Sequence, residues 1–433
     1  MKRYKLTILF LVIAALLVFM ATGCTQKAEE KEQIAKGIKV VNIGYTGPLS
    51  GPAAEYGKDA VNGIEFAIAD INEAGGINID GQPYIFRLVQ LDDGASPVAA
   101  ATNTARLRDV FGAKFIYNPV MTCLAPMLEK NQEKGNEFIV MAYTSVPAEL
   151  TAKNELAVWL PPPFFGYATA FPQMAWDEGW RTCAMIVTAG DYGDSWRAKF
   201  RQEWEALGGT VTADLPVQYY AVVDYSTQIT SAMATNPDFM LIGGPSGPTA
   251  LVVDQAREMG YEGGFVFIDQ AKMDYVAKKL QAKGGLDYLG TTIGVISPYE
   301  SPYPAIPEWI TRYEAYYGGR VFIPTWEAAI NYTATFALVR AMEAAGTVDD
   351  VYAIKKAFPE VFPFLGKDFP IEYMGISEYG RLKMIGTVDM IKNGKYTGAT
   401  PTIWFANTDA EFEEYKKIMT LNPGVEPIRI KYP

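Results

Sequence analysis

From Ile38 onward, short runs of β-branched and aromatic residues alternate with longer stretches whose apolar positions recur every three or four residues. That rhythm predicts βαβ units built on a parallel sheet. The first strand is expected over 39–45. After a glycine-proline loop, Ala60, Ile64, Ala67, Ile68 and Ile71 fall on one helical face, which Gly75-Gly76 closes. A strand over 84–91 leads to Ser96 and Pro97, a cap and a first-turn proline that open the next helix. Further strands are expected over 114–117 and 138–143.

Pro161-Pro162-Pro163-Phe164-Phe165-Gly166 cannot continue a strand and reads as a crossover. A second series follows, with strands over 183–188, 210–217, 239–243 and 265–268 and helices over 195–207 and 248–259. A strand over 289–297 is expected to cross back, since the later helix over 326–345 needs a sheet to cover. A third crossing is placed around 375–381. The expected fold class is α/β: two Rossmann-like lobes with parallel sheets joined by three crossover segments. Lobe one takes 38–160 plus 295–378, lobe two 161–294 plus 379–407, and 408–433 form a tail. No internal sequence repeat is evident.

Ahead of this body, Lys2, Arg3 and Lys5 precede an uncharged run over 6–20, then Ala21-Thr22-Gly23-Cys24. The run is about 15 residues, short of the ~20 that span a bilayer, and small residues precede the expected cut. Residues 1–23 are therefore expected to be an export signal. The cysteine after the cut resembles the bacterial lipobox, with Ala21 where that pattern prefers leucine; lipidation is expected at Cys24, with 24–37 as a tether.

The 433 residues suit two cores better than one. A net charge of −11 argues against nucleic acid, which needs clustered Lys and Arg. The chain has no histidine, which removes Ser-His-Asp and Cys-His nucleophiles and His-ligated zinc. Its cysteines, Cys24, Cys123 and Cys183, form no CxxC pair. Neither a metal nor a cofactor is expected. Cys123 reads as a buried small residue, with nothing basic beside it to activate it. Asp92-Asp93 could serve as an acid–base pair, but adjacent aspartates on a loop read better as turn formers; no enzyme is expected.

The stretch from Gly47-Pro48-Leu49-Ser50-Gly51-Pro52 to Glu55-Tyr56-Gly57, followed by Ala69-Asp70-Ile71-Asn72-Glu73-Ala74-Gly75-Gly76, resembles the type I periplasmic solute-binding family that includes leucine/isoleucine/valine-binding proteins. Leu91-Asp92-Asp93, Pro147-Ala148-Glu149-Leu150-Thr151 and Asp191-Tyr192-Gly193 add to the likeness. The resemblance implies a monomer anchored by lipid outside the cytoplasm, which hands a small molecule to the permease and ATPase subunits of an ABC importer. A sensory receptor subunit would use the same cleft.

In an open α/β sheet, ligands lie beyond the carboxyl ends of strands, near free helix N–H groups. That places Tyr56, Thr122, Tyr143, Thr144 and Ser145 at the site from lobe one. By the resemblance, Thr122, Thr144 and Ser145 hold a carboxylate, Tyr56 packs on the ligand and Tyr192 closes the cleft from lobe two. Capping by the hydroxyls, helix-start packing by Tyr56 and an ordinary turn at Tyr192 remain open. Gln270 stands where leucine-binding relatives carry the glutamate that pairs with the ligand's ammonium, and Asp269 could replace it only if the loop shifts. An amino-free aromatic or branched carboxylate thus competes with an amino acid. Trp159, Phe164 and Phe165 could line such a site or fill the hinge core.

Overall fold

Two sheets with the same strand order organise the chain. The computed structural model describes residues 37–151, 153–318, 323–398, 400–403, 406–419 and 428–431. The expected signal, Cys24 and the tether up to residue 36 lie outside them. No helix among the described residues is long and apolar enough to cross a membrane.

The first sheet contains β1 (Lys39–Gly47), β2 (Ile77–Ile79), β3 (Gln82–Asp92), β4 (Phe115–Asn118), β5 (Ile139–Ala142) and β6 (Ala157–Trp159), in the order β2-β3-β1-β4-β5-β6. All neighbours are parallel except the β2–β3 pair. The second carries β7 (Thr182–Val187), β8 (Thr210–Asp214), β9 (Phe239–Gly243), β10 (Gly264–Phe267) and β11 (Thr292–Val295) as a parallel set ordered β8-β7-β9-β10-β11. Taken in chain order, both parallel sets run second, first, third, fourth, fifth. Two Rossmann-like lobes follow, and each has its order reversal beside its own first strand, where doubly wound folds open a crevice.

Local chemistry explains the main helices. Ala54–Glu73 buries its apolar face, with Ala60, Ile64, Ala67 and Ile68 in the core. Ser96 accepts a hydrogen bond from Ala99 N and Pro97 occupies the first turn, as expected. Thr325 caps Trp326–Ala345 by accepting from Ala328 N, and Gly346 ends that helix in the left-handed conformation at φ 64°. A Cβ on Gly63 would lie 2.1 Å from Ala328 O, so a glycine is required where these two helices cross.

Several expectations shift. The stretch 289–297 yields β11, the last parallel strand of the second sheet; the helix Trp326–Ala345 covers the first sheet without an added strand, and Tyr117 OH meets Thr335 Oγ1 at 3.1 Å beneath it. β6 was too short, and too close to the prolines, to register as a strand. The carboxyl-terminal part adds β12 (Glu372–Ile376), β13 (Leu382–Lys392), β14 (Lys395–Tyr396), β15 (Thr400–Ile403) and β16 (Ile428–Arg429), with β13 antiparallel to β11. The stretch 375–381 turns from β12 into β13 and touches the edge of the first sheet, where Trp159 N donates to Gly380 O at 2.9 Å.

That meeting point is fastened by Arg381, which is fully buried. Its Nη1 donates to Thr144 O at 2.9 Å and Pro161 O at 2.7 Å, and its Nη2 to Val146 O at 2.9 Å and Glu149 Oε2 at 2.6 Å. Nε donates to the other oxygen of Glu149, so all five guanidinium N–H groups are satisfied. Arg381→Met would leave the Glu149 carboxylate buried without its counter-charge and would take from the Thr144 and Pro161 carbonyls the donor that reaches them, while Val146 O keeps Ala148 N. We expect a loss of about 3–5 kcal/mol of stability, read by urea denaturation, with Arg381→Lys recovering only part because an ammonium offers three donors in place of five.

Candidate functional site

The strand ends at the two order reversals face one another across a cleft of about 360 Å³. From the first sheet come Tyr56 after β1, Pro119 to Thr122 after β4, and Tyr143, Thr144 and Ser145 after β5; from the second come Thr188 to Tyr192 after β7, Gln218 and Tyr220 after β8, and Asp269 and Gln270 after β10. Of the residues singled out in sequence, Tyr56, Thr122, Tyr143, Thr144, Ser145, Tyr192, Asp269 and Gln270 line this space. Phe164 does not. It lies behind the wall, its ring 5.8 Å from that of Trp196. Trp159 is fully buried, with the Arg381 guanidinium 5.4 Å from its ring centre.

Two helices begin at the cleft, Met121–Lys130 on one side and Asp191–Ala206 on the other. Their free N–H groups and dipoles favour an anionic group between them. Asp191-Tyr192-Gly193 is the first turn of its helix, four residues before the expected start, and this points Tyr192 inward. Gly190 takes φ 102° at the cap, and a Cβ on Gly193 would collide with Thr188 O at 1.6 Å, so both glycines are required to bring this helix start close to β7. The helix Met121–Lys130 has no side-chain cap, so Thr122 is not occupied in capping. Thr144 Oγ1 does accept locally, from Val146 N at 3.3 Å.

Asp269 is the most elaborately held group. Its Oδ1 accepts from Tyr192 OH and from Trp196 Nε1, the latter at 2.7 Å. Burial nevertheless dominates and holds its carboxyl above the usual range against those hydrogen bonds. Both of these bonds fall on Oδ1. Gln270 turns to Tyr220, donating to its hydroxyl at 2.9 Å. Tyr56 OH donates to Pro119 O at 3.0 Å, so Tyr56, Tyr192 and Tyr220 have hydroxyls engaged by the protein while the residues border the cleft.

Glu327, in the first turn of Trp326–Ala345, also lines the cleft, and no Lys or Arg does so among the described residues. Sequence reasoning missed it, together with Lys272. Lys272 follows β10 in the second lobe; its Nζ lies 3.0 Å from Glu55, 3.3 Å from Asp59 and 3.2 Å from Glu327, all carried by first-lobe helices. Burial alone would lower the Lys272 pKa, but Glu327, Glu55 and Asp59 together raise it well above its ordinary value. Gly247 N adds a second bond across the lobes, to Glu55 Oε2 at 3.2 Å.

The weighed acid pair has a structural role. Asp92 accepts from Leu49 N and Gly94 N, while Asp93 is buried on Thr46, Asn118 and Ala95 N. Burial pushes the Cys123 thiol up to about 12 and raises that of Cys183 further. Both are fully buried.

A family model for periplasmic binding proteins matches residues 40–378. A Leu/Ile/Val-binding protein of Citrobacter freundii is 25% identical over 259 residues, covering 57% of this chain and 65% of that protein. The chain thus spans just under two thirds of the length of this curated relative. Two solved structures share the fold, each with a TM-score of 0.69. One is a branched-chain amino acid transporter substrate-binding protein from Streptococcus pneumoniae in complex with isoleucine, at 19% identity over 84% of this chain and 99% of that one. The other is an ABC transporter solute-binding protein from R. palustris in complex with benzoate, at 15% identity over 83% of this chain and 96% of that one.

Two outcomes follow from this geometry. With Cys24→Ser in place, neutral-pH iodoacetamide is expected to leave the native protein unlabelled and to label it after denaturation; rapid native labelling would contradict the burial of both thiols. Lys272→Met strands three carboxylates in the interface, and its melting temperature is expected to fall by the equivalent of about 3–5 kcal/mol.

Proposed function

Because this chain belongs to the periplasmic binding protein family, we propose that it is an exported solute-binding lipoprotein which captures an amino acid in the interlobe cleft and passes it to an ABC importer. The observation that carries the reading is the pairing of opposite chemistries across one cavity: free helix N–H groups and the Thr122 hydroxyl at one wall, the buried Asp269 carboxylate at the other. The first suits an α-carboxylate and the second an α-ammonium.

Asp269 changes the weight of the Gln270 departure. Gln270 is turned to Tyr220, and the adjacent aspartate supplies the carboxylate that an amino group needs. An amino acid therefore fits better than the amino-free acid that the sequence left open. The isoleucine-bound and benzoate-bound relatives bracket the two alternatives. Catalysis has no support here, with no histidine in the chain, both described thiols protonated and the Asp92-Asp93 pair engaged in a turn. Lipidation at Cys24, a monomeric state and permease and ATPase partners complete the proposal; a membrane pull-down that returns a signalling receptor in place of a permease would favour the sensory alternative.

A thermal-shift screen tests the ligand class. Branched-chain and other α-amino acids are expected to raise the melting temperature, benzoate and short branched acids to raise it less. Asp269→Asn is expected to weaken amino-acid binding roughly tenfold to a hundredfold, the worth of a hydrogen bond to a charged group. A strong benzoate shift that Asp269→Asn enlarges would establish the amino-free ligand instead. Tyr192→Phe, which removes one donor from Asp269, is expected to change amino-acid affinity while leaving the fold intact by circular dichroism.

A further inference from the structure

Beside Asp269 lies a second chamber of about 30 Å³, walled by Asp269, Lys272, Glu327, Tyr143, Tyr167 and Trp326 among others. It shares Tyr143, Pro161, Asp269 and Glu327 with the main cavity and has room for about one water-sized group. We propose that this chamber is a subsite for a primary ammonium at the far end of the solute, so that the cleft takes diamino carboxylic acids in preference to aliphatic amino acids. The proposal rests on the solute-binding reading and narrows it.

The charge count carries the argument. Lys272 is the cation of the interlobe cluster, and Glu55 and Asp59 already lie 3.0 and 3.3 Å from it. One carboxylate would neutralise it. Glu327 is the third, with a side chain 4% exposed, and it borders both cavities. Its Oε2 faces Lys272 at 3.2 Å and, like Glu55 Oε1 and Asp59 Oδ2, is in ion-pair contact without an aligned hydrogen bond. Across the chamber, Asp269 is held by neutral donors, Tyr192 and Trp196. With Asp269 assigned to the α-ammonium, three carboxylates still surround the one Lys272 ammonium, a costly arrangement until a second cation enters.

Size and wall chemistry point the same way. A water would fill the volume and leave the charge, whereas a terminal ammonium of similar size would do both. The aromatic side chains of Tyr143, Tyr167 and Trp326 in the wall suit a cation. Burial raises the carboxyl pKa of both Glu327 and Asp269, and an entering cation would favour their charged forms. Among the described residues no group of three or more metal-ligating side chains is arranged for a metal ion, so a ligand-borne cation is the better candidate.

Ornithine and leucine, which differ in the terminal ammonium and in chain branching, are the probes, titrated calorimetrically into the purified exported protein. Ornithine is expected to bind at least about tenfold more tightly than leucine. Glu327→Gln is expected to erase that margin by lowering ornithine affinity about tenfold more than leucine affinity. Should that variant not fold, Glu327→Asp keeps the charge on a shorter stem and is expected to lower ornithine affinity more than leucine affinity. Leucine binding as tightly as ornithine to the parent protein, or an equal loss for both ligands in the variant, overturns the subsite and leaves the solute-binding reading standing. If no amino acid or carboxylic acid in the wider screen binds, both readings fall together.

Discussion

The buried guanidinium of Arg381 is the constraint on which the arrangement of this molecule depends. It sits where the turn before β13 meets the edge of the first sheet, and its five donors are divided between a carboxylate and three main-chain carbonyls. Two of those carbonyls, on Thr144 and Val146, flank Ser145, and the third, on Pro161, opens the passage to the second sheet. The loop that supplies Tyr143, Thr144 and Ser145 to the cleft is thereby fixed to the segments about which the lobes would pivot. A planar fork with five fixed donors can hold all of these at once, and an ammonium cannot.

A second cluster acts across the opposite reach of the interface. Lys272 is buried among carboxylates from two helices of the other lobe, so charge as well as apolar contact joins the halves. Asp269 and Glu327 leave the cleft acidic, whereas the helix starts after β4 and β7 offer positive dipole ends. A solute must match that polarity along its length as well as its shape. Specificity of this kind comes from unpaired groups that penalise the wrong guest as much as from contacts that favour the right one.

Much of this was legible in the sequence. The βα rhythm gave the strands of both parallel sets apart from β6, and the Ser96-Pro97 signal marked a helix start that the structure reproduces. Strand-end reasoning led to loops that do converge, because in an open α/β sheet the crevice follows from strand order alone. What escaped has physical causes. Lys272 and Glu327 are 55 positions apart in the numbering and meet through lobe packing, which no local periodicity encodes. Tyr192 is assigned to the cleft by resemblance, but its helix is expected to start only at Ser195 because an Asp-Tyr-Gly triplet also suits a turn; the left-handed Gly190 and the crowded Gly193 bring the helix start back to Asp191. The balance between Asp269 and Gln270 hinged on how one short loop leaves β10. The antiparallel strands near the carboxyl terminus depend on pairing with a distant edge and had no periodic signature strong enough to announce them.

The repetition of one strand order in both sheets also decides when the molecule becomes competent. Its cavity is assembled from side chains scattered between Tyr56 and Glu327, with no contiguous stretch contributing more than a patch of wall. An emerging polypeptide that has not yet delivered Trp326 and its successors therefore owns only part of a container. Occupancy of the cleft is in effect a certificate that nearly the entire body has reached its final form.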